Sequence, residues 1–260
     1  PKLLSNHYIN NMIEISDLGE KSFYDYVILK KNKLNDYKSL VKLIIKIQKI
    51  KVKKSYKLGK FKVKFLKYTL NNLHKESDLF FDWYLKYCLK EKNISKIKRL
   101  LRKELNKVYK KLKFSNNTFV HRDFHVSNIM LKKKTLGLID SQDAIIGNPL
   151  YDIASLIDDV RIRLPNNLQN NLLEFYHKNS QLKKDNIESL KNDFDILSVQ
   201  RNFKILGIFV RLSQRDGKKN YLKFLPYTWT LIERRLKNPI FKNLSILMNK
   251  NLPIKKLRKL

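Results

Sequence analysis

The chain has 260 residues, 43% of them hydrophobic and 30% charged, and its 56 Lys+Arg against 23 Asp+Glu give a net charge of +33. That length supports a buried core in one domain or a two-lobed domain, and the composition excludes a disordered or fibrous chain. No apolar run approaches the roughly 18 residues of a membrane helix, the first residues carry no signal-peptide core, and the single Cys88 excludes an intrachain disulfide and points to a reducing cytoplasm.

Residues 1–16 read as two short strands with a turn around 7–10, ending in Met12-Ile13-Glu14-Ile15-Ser16-Asp17-Leu18-Gly19. Leu40, Ile44, Ile47 and Ile50 recur at spacings of three and four after an Asn35 or Asp36 cap and predict a helix over about 36–51. Residues 51–67 hold eight lysines (51, 53, 54, 57, 60, 62, 64 and 67) interleaved with Phe61 and Phe65. A solvated loop is the plain reading of that tract, a nucleic-acid patch the alternative. A second helical region is expected over about 66–89, and a third helix with Ile94, Ile97, Leu101, Leu105, Val108 and Leu112 as its buried stripe.

The pattern then changes. Apolar runs at 118–120, 129–131 and 136–139, separated by polar loops, read as small strands. From Asp152 the helical period returns over 153–162, and helices continue to the C-terminus with breaks near Pro165, Gly217, Pro226 and Pro239. The basic tail at 255–259 reads as a frayed end. The net charge suggests nucleic acid or an anionic membrane, but the cations are spread along the whole chain beside abundant Asn and Ile, as codon bias toward A and T would produce. Neither partner is expected; the charge would still raise the encounter rate of anions such as ATP.

The chemistry-bearing stretch is His121-Arg122-Asp123-Phe124-His125-Val126-Ser127-Asn128, followed by Gly137-Leu138-Ile139-Asp140. It sets an Asp, an Asn five residues later and a second Asp after an apolar run, the order phosphoryl transfer requires. Asp123 is the candidate base, needing only to orient a hydroxyl and take its proton late. The Asn128 carbonyl oxygen and the Asp140 carboxylate suit a hard cation such as Mg2+. An isolated Asp and Asn would be mere turn formers; the ordered set favours the functional reading. His121 and His125 lie at the spacing of a zinc pair, but Arg122 stands where a zinc protease has Glu, so packing or a loop hydrogen bond is preferred for both. No Walker loop and no Gly-x-Gly pair is present.

With Gly147, Pro149 and Asp152 added, the chain resembles the aminoglycoside phosphotransferase and choline kinase superfamily, whose catalytic core is related to that of protein kinases. The resemblance implies an α+β, protein-kinase-like fold: a truncated N-terminal lobe and hinge at 1–19, and a mostly helical C-terminal catalytic lobe at 20–260 with short strands about the catalytic loop. It further implies ATP and Mg2+ as cofactors, adenine received near Glu14, Ser16 and Leu18, and Asp123, Asn128 and Asp140 as base and metal ligands. His121 and Asp152 become structural residues, Asp152 holding the catalytic loop by its backbone; the N-cap of the following helix is the other reading of Asp152.

A narrower resemblance rests on His-Arg-Asp-Phe-His, Ile-Asp-Ser-Gln-Asp-Ala, residues 200–212, Arg215-Asp216-Gly217-Lys218 and the helical region at 76–83. It is to the bacterial anomeric sugar kinases of cell-wall recycling, which phosphorylate N-acetylmuramate and N-acetylglucosamine at C1. Ser141 departs from the subgroup's aromatic residue but removes no ligand. Asp143 is then a candidate for sugar contact or metal support, and Arg211 and Arg215 for a substrate carboxylate or phosphate, with solvated or locally bridged arginines as the alternative. An aminoglycoside or choline-type kinase, and a non-catalytic pseudokinase fragment, are the competing functions. The hinge-like segment within the first twenty residues leaves no room for a nucleotide-covering loop and strand lysine, so a fragment or trimmed chain is expected, with a naturally reduced kinase as the alternative.

Overall fold

Short apolar runs set between polar turns pair here as isolated ribbons rather than as one broad sheet. A computed structural model of the chain describes residues 1–53, 55–58, 61–89, 94–133 and 135–258. In chain order the elements are β1 (Leu3–His7), β2 (Met12–Ile15), α1 (Phe23–Val27), α2 (Leu34–Gln48), β3 (Tyr56–Leu58), β4 (Phe61–Val63) and α3 (Leu70–Leu79), which continues through a π-helical turn at Phe80–Leu85 into α4 (Lys86–Cys88). There follow α5 (Ile94–Tyr109), β5 (Thr118–Val120), β6 (Ile129–Lys132), β7 (Thr135–Leu138), β8 (Ile145–Gly147), α6 (Tyr151–Ile157), α7 (Asn166–Asn179) and α8 (Ile187–Asp216). Last come α9 (Leu225–Arg235), α10 (Lys242–Asn251) and α11 (Ile254–Leu257). The mostly helical α+β architecture matches the expectation. Among the described residues no helix is long and apolar enough to cross a membrane.

Two units form, residues 1–67 with 116–183 and residues 68–115 with 184–260. In the first, β1 pairs antiparallel with β2, β5 with β8 and β6 with β7. The β1–β2 hairpin leaves Leu3, Leu4, Met12, Ile13 and Ile15 exposed, and Ile9 at its turn is 98% exposed. α1 starts at a reciprocal cap, Ser22 Oγ accepting from the Asp25 N–H while the Asp25 carboxylate accepts from the Ser22 N–H. α2 buries Tyr37, Leu40, Val41 and Ile44, a stripe at helical spacing that packs against α7. Between them, the Pro149 carbonyl accepts from Gln48 Nε2 at 2.7 Å and the Tyr176 hydroxyl at 3.3 Å. That fixes the turn from which α6 departs, and all seven residues of α6 are buried.

The second unit is built on the 30-residue α8, capped by Asn186 and ended by Gly217 at φ +67°. Phe80 stacks on Phe203 with ring centroids 4.6 Å apart, Trp229 Nε1–H donates to the Tyr84 oxygen, and the Tyr84 hydroxyl donates to the Leu257 carbonyl at 2.6 Å. Buried Glu76 accepts from the Tyr68 hydroxyl at 2.5 Å and Gln200 Nε2 at 3.0 Å, and Lys204 Nζ lies 3.4 Å from its other oxygen. At Gly207 a Cβ would sit 2.3 Å from the Leu79 carbonyl oxygen, so α3 and α8 touch backbone to backbone. Gly207→Ala is expected to destabilise by about 3 kcal/mol, the upper end of overpacking costs, read as a lower urea midpoint.

Five local expectations are corrected. α2 spans 34–48 rather than 36–51, and Asn32 Oδ1 accepts from the Leu34 N–H where a cap at Asn35 or Asp36 was expected; Asp36 pairs with Lys30 instead. The helical region expected at 66–89 starts only at Leu70 and runs without interruption to Cys88, with a π-helical turn at Phe80–Leu85. The lysine-rich tract contains the β3–β4 ribbon rather than a loop, with Tyr56 edge-on to Phe65 and Phe65 edge-on to Phe119; Lys54 and Lys60 lie outside the described residues. α6 spans 151–157 rather than 153–162 and starts from Leu150, so Asp152 lies within the helix and is not its N-cap. The C-terminal segment packs as α11 with Leu257 fully buried instead of fraying; Lys259 lies outside the described residues.

Candidate active site

The loop from His121 to Asn128 leaves β5 and ends in a 3-10 turn, Val126–Asn128, that feeds directly into β6. Its course is set by Asp152, whose carboxylate accepts from the backbone N–H of His121 at 2.8 Å and of Arg122 at 3.0 Å. Asp152 is fully buried, so these two charge-assisted bonds take the place of its hydration. They also hold Arg122 in the left-handed region at φ +79°, a conformation that costs a non-glycine residue about 1 kcal/mol or more. His121 is fully buried, and burial holds its pKa below the ordinary imidazole value. As a neutral ring it donates from Nε2 to the Ile139 carbonyl at 2.9 Å, tying the loop to the strand end that carries Asp140. That nitrogen is thereby occupied and is not open to a zinc ion.

Within the loop the backbone closes on itself. The Asp123 carbonyl accepts from the His125 N–H at 3.1 Å, and the His125 carbonyl from the Asn128 N–H at 2.9 Å. Asn128 Nδ2 donates both to the Asp123 carbonyl at 3.0 Å and to Asp140 Oδ2 at 3.3 Å. Both partners are acceptors, which fixes the amide orientation and leaves Asn128 Oδ1 as its acceptor face. Asp140, also left-handed at φ +66°, receives Gln142 Nε2 at 2.5 Å on its second oxygen. Asp123 is half-buried, and among the described residues nothing donates a hydrogen bond to its carboxylate. One loop and one strand end therefore present a proton acceptor beside an amide oxygen and a carboxylate.

These donors fit a magnesium ion. Both are hard oxygens, and no cage of three or more His, Cys, Asp or Glu side chains exists among the described residues. Two protein oxygens with the remaining positions left to water and phosphate is how Mg2+ is held beside a nucleotide.

The other sequence candidates are distributed unevenly. Leu18 packs on β7 three residues before Asp140, since a Cβ on Gly137 would lie 2.5 Å from Leu18 Cδ1; the absence of a side chain at 137 is what admits it. Beside it the Asp17 carboxylate accepts from the Gly19 N–H and from Lys132 Nζ at 3.0 Å, fastening this segment to β6. Glu14 and Ser16 bond within the hairpin, Glu14 to the Ser5 hydroxyl and Ser16 Oγ to the Lys2 N–H. Asp143 is exposed three residues beyond Asp140. Arg211 and Arg215 lie on α8 in the second unit, where Arg215 pairs with Asp216 at 2.7 Å.

Sequence reasoning passed over Gln142 and the buried pair Asp158 and Asp159, each 1% exposed. A signal for them was present. Residues 135–160 form the longest run in this basic chain with no lysine or arginine, yet they contain five aspartates, at 140, 143, 152, 158 and 159.

A model of the phosphotransferase enzyme family matches residues 15–189, which include every residue of this loop and strand end. The chain belongs to the phosphotransferase enzyme family. Within the family it is 30% identical over 251 residues to an N-acetylmuramate/N-acetylglucosamine kinase of Pseudomonas aeruginosa, covering 90% of this chain and 69% of that one. A second N-acetylmuramate/N-acetylglucosamine kinase, from Neisseria meningitidis, is 29% identical over 163 residues, 61% of this chain and 49% of that one. The chain thus spans between half and about two thirds of the length of these relatives. Among solved structures, a choline kinase from Cryptosporidium parvum superposes with a TM-score of 0.52 at 15% identity over 91% of this chain and 74% of that one, a likeness of fold.

Proposed function

We propose that this chain is the catalytic part of an ATP-dependent kinase that phosphorylates the anomeric hydroxyl of an amino sugar, N-acetylmuramate or N-acetylglucosamine. The observation that carries the chemistry is the convergence of Asp123, Asn128 and Asp140 through direct hydrogen bonds. The sugar is suggested by the names of the relatives similar over 90% and 61% of the chain.

Asp123 orients the sugar hydroxyl and accepts its proton as the new bond to phosphorus forms. Asn128 Oδ1 and Asp140 are the residues that would hold magnesium, which supplies charge neutralisation on the nucleotide phosphates. The segment from Glu14 to Leu18 receives the adenine, Leu18 offering an apolar face seated on Gly137. Asp143 is assigned to the sugar; Arg211 and Arg215 are assigned to a substrate carboxylate or phosphate on the resemblance. Residues 1–19 belong, in this reading, to a nucleotide-binding lobe, and the exposed apolar side chains of the β1–β2 hairpin are the face against which further strands of such a lobe would pack.

The test is incubation with MgATP and each amino sugar, followed by phosphorus NMR. The expected product is a sugar 1-phosphate whose phosphorus couples to the anomeric proton. Turnover of choline or an aminoglycoside, with neither amino sugar consumed, would replace the substrate assignment.

A further inference from the structure

The catalytic loop is held at two places by one stretch of chain. Asp152, in the first turn of α6, takes the N–H groups of His121 and Arg122. Asp159, seven residues on and just beyond the helix, takes the Val126 N–H on Oδ2 at 3.3 Å. Its other oxygen accepts from the Arg161 N–H at 3.0 Å and from Arg161 Nη1 at 3.1 Å. Seven helical residues span about 10 Å, and Asp152 and Asp159 meet the two ends of the His121–Val126 segment.

We infer that Asp159 is a positioning residue for the metal side of the site, complementing Asp152 on the base side. This rests on the reading of Asn128 and Asp140 as magnesium ligands. Val126 is the first residue of the 3-10 turn whose last residue is Asn128, and its side chain is fully buried. A displacement of the Val126 backbone therefore carries Asn128 with it, because the turn is closed by the Asn128 N–H on the His125 carbonyl. Asn128 in turn holds Asp140 through Nδ2. Asp123 lies nearer the other anchor, one residue beyond the Arg122 N–H that Asp152 grips. The two carboxylates thus act on different functions: Asp152 on the proton acceptor, Asp159 on the oxygen pair that takes the cation. Arg161 pairs with Asp159 through its backbone N–H and Nη1, offsetting the cost of burying a carboxylate at 1% exposure.

The experiment titrates Mg2+ against binding of a fluorescent ATP analogue to the whole chain, without turnover, in the wild type, Asp159→Ala and Asp159→Asn. Loss of a group that orients a metal ligand weakens metal affinity by about 10- to 100-fold. The Ala variant is expected to raise half-saturating Mg2+ by that factor while binding of the analogue in the absence of metal is unchanged. Asn keeps an oxygen toward Val126 and is expected to restore most of the affinity. Should the Ala variant not fold, the Asn variant and Arg161→Ala, which loosens Asp159 from outside, are expected to shift the Mg2+ requirement by a smaller factor. Unaltered Mg2+ dependence in folded variants, with only a lower unfolding midpoint, would show Asp159 to be structural and overturn the inference alone. A wild type whose analogue binding ignores Mg2+ would overturn the reading of the metal ligands, and this inference with it.

Discussion

Asp123→Asn is expected to lower kcat for sugar phosphorylation by about 10²- to 10⁴-fold, the range attributed to a positioned general base, while leaving the unfolding midpoint and the affinity for MgATP unchanged. The geometry separates these readouts. The hydrogen bonds that Asp123 makes to the loop use its backbone carbonyl, which accepts from His125 and Asn128. Nothing among the described residues donates to its carboxylate, so the amide replaces it without orphaning a partner. The loop and the Asn128–Asp140 pair keep their places, and only the capacity to accept a proton is lost. Steady-state kinetics coupled to ADP release, beside calorimetric titration of MgATP, would check this. An Asn variant with near wild-type kcat would remove Asp123 from the role of base.

Asp152→Ala acts in the opposite sense, chiefly on stability. It leaves the N–H groups of His121 and Arg122 without their acceptor, the first of them in a fully buried residue. Two hydrogen bonds to a charged group correspond to about 3–6 kcal/mol, against about 5–15 kcal/mol for a whole domain. Arg122 also loses the group that holds it at positive φ, so the residue preceding the base is free to relax into ordinary backbone geometry. The expected result is a large fall in the urea midpoint together with loss of activity. Asp152→Asn, which keeps one oxygen acceptor, should fall between. A native-like midpoint for the alanine variant would mean that the loop is held by its own turn alone.

The helices of this protein were legible where a single local period decides them. The stripe of α2 needs only a solvent side and a buried side: Leu40 and Ile44 are buried as read, whereas Ile47 is half-buried and Ile50 lies exposed beyond the helix end. The same holds for α5, where Ile97, Leu101, Leu105 and Val108 face inward. The loop ligands were legible because a fixed chemistry demands fixed residue types in order. What escaped was non-local. β8 is three residues long and exists because it pairs with β5, whose nearest residue lies 25 positions earlier; no pattern within 145–147 could announce it. In the lysine-rich tract the side chains conceal the strands, since lysine has little preference for a sheet, and the pairing draws on Phe65 resting against Phe119. Asp152 was read correctly as a residue with two possible duties, but which one it performs depends on a loop thirty residues away. Asp159 is the same case without a motif to draw attention to it.

Where no further strand covers it, the β1–β2 hairpin sets the chain's charge against self-association. A two-stranded ribbon with open edges and large apolar side chains in water is a template on which another chain can add a strand. Residues 3–20, which hold the ribbon, contain no lysine or arginine to blunt those edges. Repulsion between two chains, each of net charge +33, opposes such pairing. That repulsion reaches about 8 Å at physiological ionic strength and about 3 Å in molar salt. Colloidal stability and strand pairing are therefore set against each other, and added salt shifts the balance toward self-association.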